Sequence, residues 1–104
     1  MDEQQFRAEA DRALEDLFRA LTDGDFDADL NNGALTVEFE EPPAKFVVSP
    51  NSPVRQIWVS ALTKSFKLDW NEAAKAFVLP ATGQDLKALM ADVIGKQLGE
   101  AVEL

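Results

Sequence analysis

RQIWVS, Arg55 to Ser60, sets Ile57 and Val59 on one side of an extended chain and Gln56, Trp58 and Ser60 on the other, because successive side chains of a strand alternate between faces. Two β-branched residues facing one way mark a half-buried strand. They also force the tryptophan outward. A few residues on, SFKLDW (65–70) alternates in the same manner, with Phe66, Leu68 and Trp70 against Lys67 and Asp69. Upstream, ALTVEFE (34–40) puts Leu35, Val37 and Phe39 against Thr36, Glu38 and Glu40, and the Asn-Gly turn at 32–33 opens it. Two shorter runs read as strands as well. KFVVS (45–49) lies between the loop EPP at 41–43 and the break PNSP at 50–53, and AFVL follows the loop NEAAK. The expectation is a mainly antiparallel sheet of about five strands.

Helical patterns flank this sheet. From Asp2 to about Thr22 the residues Phe6, Ala10, Ala13, Leu14, Leu17, Phe18 and Leu21 recur at spacings of three and four, which makes one apolar stripe on an amphipathic helix. Asp23-Gly24 ends it. PATGQ (80–84) opens a second helix, with Thr82 or Gly83 near its start and Leu86, Leu89, Met90, Val93, Ile94 and Leu98 along it. Gly99 closes that helix and leaves the tail EAVEL. Helix, strands, helix predicts an α+β fold, a two-layer α-β sandwich in one domain over residues 1–104, with two helices packed on one sheet face and the other face in water.

Composition narrows the function. The 104 residues carry ten Lys/Arg against nineteen Asp/Glu, a net charge of −9. Nucleic-acid binding through phosphates needs a basic patch and is excluded. Cations or a basic protein surface are favoured. Without cysteine there is no disulfide or thiolate chemistry, and without histidine the usual zinc ligand and general base are missing. Any metal must sit on oxygen. No apolar run reaches the length of a membrane span and MDEQQF is unlike a signal peptide, so a cytoplasmic protein is expected.

The acids concentrate in DGDFDADLNNG (23–33), read as a loop with three open meanings: a calcium site, an acidic docking surface or a solvated connection. A calcium loop started at Asp27 finds Asp29 and Asn31 at the right spacing and Glu38 at the twelfth position. Its glycine comes one place late, however, and a strand pattern follows where a helix is needed. An open carboxylate patch binding hard cations weakly fits better, and it would discriminate poorly between metals. On the first helix, Arg7/Asp11, Arg12/Asp16 and Glu15/Arg19 stand four apart, so that face is expected to neutralise much of its own charge.

The outward Trp58 is the most unusual feature, because such a residue on an open sheet is a common interface anchor. Lys67, on the polar face of the neighbouring strand, is placed to form a basic-aromatic patch with it. The ordered set RALEDL, NGALTVEFE, RQIW, DW and GEAVEL resembles the frataxin family in its short bacterial form, nearly end to end. The resemblance implies an α-β sandwich whose first helix and first strand edge form an acidic ridge. It implies a role in iron–sulfur cluster assembly, with weak binding of Fe2+ or Fe3+ and engagement of the cysteine desulfurase and the scaffold protein. It also implies an exposed Trp58. This chain departs from the family pattern where Arg19 and Thr22 stand among the helix acids and where Ser49 replaces an asparagine. Its acidic charge is partly moved into the segment after the helix.

The metal-ligand candidates are therefore Asp11, Glu15, Asp16, Asp23, Asp25, Asp27, Asp29, Glu38 and Glu40. The partner-binding candidates are Glu15, Asp16, Gln56, Trp58 and Lys67. The expected molecule is a monomer that iron can drive into oligomers. No catalytic residue is expected, and ferroxidase activity, ascribed to some family members, has no histidine to support it here. Two other readings stay open, an acidic inhibitor or DNA mimic with no role in iron chemistry and a weak divalent-cation-binding domain.

Overall fold

Asp2 starts the chain's first element. Its carboxylate accepts from the Gln5 backbone N–H at 2.7 Å while the Gln5 side chain accepts from the Asp2 N–H, a capping box that satisfies two of the donors a helix leaves free. In the computed structural model, which describes Met1–Leu104, helix α1 then runs over Glu3–Asp23 and stops at Gly24, whose N–H reaches back to the carbonyls of Ala20 and Leu21. Its stripe is the one the spacing predicts: Phe6, Ala10, Leu14, Leu17 and Leu21 are buried, and Ala13 and Phe18 pack against them.

The sheet has six strands, not five: β1 Asp27–Asn31, β2 Ala34–Glu40, β3 Pro43–Asn51, β4 Gln56–Ala61, β5 Lys64–Asn71 and β6 Ala76–Val78. They follow one another in space as in sequence, and all pairs are antiparallel. The extra strand, β1, is the middle of the acidic stretch read as a loop. Its apolar residues Ala28 and Leu30 alternate with Asp27, Asp29 and Asn31, but aspartate and asparagine are poor strand formers and mask the period. The Asn32-Gly33 turn joining β1 to β2 has positive φ at both residues, 54° and 78°, as a two-residue hairpin turn of the favoured hand requires. β3 is also longer than KFVVS, taking in the prolines at both ends. A single 3₁₀ turn, Ser52–Val54, then leads into β4.

Helix α2, Leu86–Leu98, begins later than the Thr82–Gly83 expectation. Asp85 caps it, accepting from the Ala88 N–H at 2.8 Å, whereas Thr82 and Gly83 close a turn back onto the Leu79 carbonyl. Gly99, at φ 71°, ends the helix with its N–H on the Gly95 carbonyl. The tail then folds back across α2. A Cβ on Gly95 would stand 2.8 Å from the Glu100 carbonyl oxygen, so only glycine admits this path, which brings Val102 and Leu104 against the core.

Both helices lie on the face carrying Leu35, Val37, Phe46, Val48, Ile57, Val59, Leu68 and Phe77. Phe6 meets Phe77 edge-on with ring centroids 5.7 Å apart, and Trp70 meets the same ring at 5.1 Å. Fully burying a side chain of this size contributes about 1.5–3 kcal/mol, which fixes α1 along the sheet. Every buried residue is apolar and none is polar or charged. The charged side chains are thus at or near the surface, Arg55 with its Nε enclosed among them.

Candidate functional site

On the open sheet face the strand registers set outward residues side by side. Trp58 on β4 is opposite Lys67 on β5 and Ser49 on β3, and Gln56 is opposite Asp69. As the strand period predicts, Ile57 and Val59 are buried and Trp58 is 38% exposed. The Lys67 ammonium sits 4.9 Å from the centroid of the Trp58 ring, within the range of a cation–π contact. The indole N–H donates to Gln56 Oε1 at 2.9 Å, and Gln56 Nε2 donates to Asp69 Oδ1 at 2.8 Å. Gln56, Trp58 and Lys67 are therefore brought together as the sequence predicts. Asp69 joins them unpredicted. Its position outward on the strand carrying Lys67 was visible, but its partner was not, since that depends on the β4–β5 register.

The acids divide into groups. Asp27 and Asp29 point outward from β1, with Glu38 and Glu40 on β2 next to them, and Asp27 is directly opposite Glu38. Asp11 and Glu15 flank α1 on the side of β1 and share a shallow depression with Leu30 and Gly33 of the first hairpin. Asp23 ends the helix, and Asp25 follows it in a left-handed conformation at φ 64°. These residues thus lie on α1, on the segment that follows it and on the first two strands of the sheet. Asp16 leaves this group. One residue on a helix turns about 100° from its neighbour, and Asp16 faces the other flank of α1, where it lines a depression with Glu9, Arg12 and Trp70.

The expected ion pairs along α1 are corrected as well. Arg7 pairs with Glu3 at 3.3 Å, Arg12 with Glu9 at 3.0 Å and Arg19 with Asp16 at 3.7 Å. Each arginine reaches back to an acid nearer the N-terminus. Helical side chains lean that way, and an acid on the N-terminal side of a base is the better orientation. Asp11 and Glu15, assigned arginines by spacing alone, form no ion pair, and neither do Asp23, Asp25, Asp27, Asp29, Glu38 or Glu40. The nearest base on the sheet is Lys45, directly opposite Glu38 on β3 but outside ion-pair distance of it.

No three acidic side chains converge as a group that could hold a metal ion. A hard cation prefers six or more oxygens, so at this edge it would take one or two carboxylates and complete its shell with water. The calcium-loop geometry is not formed, because Asp27, Asp29 and Asn31 lie on a strand paired with the one that carries Glu38. A further polar cluster lies at the β5–β6 turn. The Lys75 ammonium bonded to the Glu72 carboxylate, with the Trp70 indole N–H at its other oxygen, holds Glu72 below the ordinary glutamate range. No helix is long and apolar enough to cross a membrane.

Fold and surface together define an α+β protein with two helices on one sheet face, whose candidate residues occupy an open edge and an open sheet face. The model of the frataxin-like domain matches residues 1–100, and the chain belongs to that family. It is similar to the iron-sulfur cluster assembly protein CyaY of Azotobacter vinelandii, 37% identical over 92 residues that cover 86% of this chain and 80% of that protein. The protein of the same name from Pseudomonas aeruginosa is 34% identical over 105 residues, covering 99% and 96%. Among solved structures, a frataxin from Psychromonas ingrahamii, studied for stability within the CyaY protein family, superimposes with a TM-score of 0.85 at 25% identity, covering 99% of this chain and 97% of its own.

Proposed function

We propose that this chain is an acidic adaptor in iron–sulfur cluster assembly. The acidic edge docks on a basic surface of the cysteine desulfurase, and the sheet face around Trp58 meets the scaffold protein or its junction with the desulfurase. The observation that carries this reading is the Trp58 cluster. A large aromatic side chain stands exposed on a rigid sheet and is oriented by Gln56 and Lys67, which is the character of an interface hot spot. The names of the curated relatives support the assembly role. The cytoplasmic address expected from the sequence is part of the same reading.

Charge accounts for the other half. Unpaired carboxylates on an exposed edge attract a basic partner over a Debye length and speed encounter. Iron is cargo here. It docks weakly on the same carboxylates, in keeping with an edge that offers oxygen ligands without a cage. The acids also blunt the free edge of β1 against pairing with a second copy, which supports a monomer as the working form.

Binding of Trp58→Ala to the desulfurase, with and without the scaffold, tests the proposal. The expected result is near-native affinity for the desulfurase alone and a loss of about 2 kcal/mol or more, the size of a hot spot, once the scaffold is present. Native affinity in both arms would remove the sheet face from the account. If the native chain bound neither partner, the DNA-mimic and simple cation-binding readings would replace the assembly role.

A further inference from the structure

Gln56 lies between two groups of opposite hydrogen-bonding character. The Trp58 indole N–H can only donate, and the ionised Asp69 carboxylate can only accept. A side-chain amide satisfies both in a single orientation, with Oε1 toward the indole at 2.9 Å and Nε2 toward Asp69 at 2.8 Å. We infer that Asp69 is the positioning residue of this surface: it fixes the Gln56 amide, and through it the plane in which Trp58 is presented. Lys67 then closes on the ring from the neighbouring strand. The chain of contacts runs from Asp69 through Gln56 to Trp58, whose ring is the large apolar group at its end.

The consequence for binding rests on the proposed docking of Trp58. An exposed tryptophan fixed before contact loses less side-chain freedom on binding, so its affinity gains by preorganisation. Asp69 itself can be changed safely, since it is exposed and outside the core. Asp69→Asn keeps an acceptor, because the new amide can turn its oxygen to Gln56, but it removes the charge. Asp69→Ala removes both. Asp69→Lys offers only donors and should turn the Gln56 amide round, taking Oε1 away from the indole.

The test has two arms on the full chain. Heteronuclear NMR follows the Trp58 indole N–H, and titration with the desulfurase and scaffold of the same organism follows affinity. The account expects the indole signal to shift and become more mobile in Asp69→Ala and Asp69→Lys and to stay near native in Asp69→Asn. Affinity should fall roughly 3- to 10-fold in Asp69→Ala and change less than about twofold in Asp69→Asn. An indole signal unmoved by Asp69→Ala would overturn the positioning role. Equal losses of affinity in Asp69→Asn and Asp69→Ala would also overturn it, showing that Asp69 acts by its charge. Failure of the native chain to bind either partner would sink the docking reading alone, and the NMR arm would still decide what orients Trp58.

Discussion

Trp58 was legible from its neighbours. Ile57 and Val59 leave a strand one choice of face, and the opposite face received the tryptophan. Asp69 shows where such reading stops. Its pairing with Gln56 depends on register, which the turn between β4 and β5 sets. That turn is Leu62-Thr63, both in the left-handed region at φ 55° and 60°, and neither residue type marks such a turn in sequence. Parity and strand adjacency were enough to place Lys67 near Trp58, but the Gln56–Asp69 pair needs the register itself. Glu72 carries a prediction at this scale. Its bond to Lys75, supplemented by Trp70, holds it ionised below the ordinary glutamate range. A depressed carboxylate stabilises the fold fully above its unfolded pKa, and that contribution is lost as pH falls through the folded value. An NMR titration should find Glu72 ionising below the ordinary range in the native chain and closer to it in Lys75→Ala. An unchanged midpoint in that variant would remove Lys75 as the main cause.

Among the elements, β1 shows a conflict between local preference and tertiary pairing. Aspartates at alternate positions disfavour a strand, yet Ala28 and Leu30 have a core to cover and the Asn32-Gly33 turn returns the chain onto β2. Pairing prevails. Asp27 stands directly opposite Glu38, where like charges across an antiparallel pair repel, with Lys45 opposite Glu38 on the other side. Asp27→Asn should therefore raise the stability of the free protein by about 0.2–1 kcal/mol, read as a higher urea midpoint with unchanged slope, and the gain should shrink in salt. A lower midpoint would mean that the carboxylate makes a favourable contact outweighing this repulsion. A pair that costs stability and is nevertheless present accords with a surface kept for binding. Helix α1 teaches a different lesson. Spacing of four identified candidate pairs, and side-chain direction explains why Arg7 and Arg12 turn back to Glu3 and Glu9 and leave Asp11 free. Arg19 pairs with Asp16, three residues back, in place of Glu15.

For the whole molecule, the helix–strands–helix order and the one-sided apolar pattern made the architecture readable, and composition excluded thiolate and imidazole chemistry outright. What composition could not show is how the charge is distributed. Of the acids without an ion pair, the fold puts Asp11 and Glu15 on α1 beside Asp27 and Asp29 on β1 and Glu38 and Glu40 on β2, while Asp16 lies on the far flank of the helix. It sets Trp58 two strands further along, on the same open sheet face as Asp27, Asp29 and Glu38. A partner, or two partners in contact, can therefore meet acidic edge and aromatic face at once. The path of the tail across Gly95 was illegible for a simple reason. A glycine inside a helix reads as a local weakness until the segment that needs its missing Cβ is in place.

The central claim is that the edge formed by α1 and β1, and not the helix acids at large, docks on the desulfurase. Its most direct test is the affinity of the desulfurase for the native chain, for Asp11→Lys/Glu15→Lys and for Asp16→Lys, at low and moderate salt. Native binding should weaken as salt rises, with a loss of roughly tenfold or more in the double variant and a clearly smaller loss in Asp16→Lys. Native-like binding by the double variant, or an equal loss in Asp16→Lys, would contradict it.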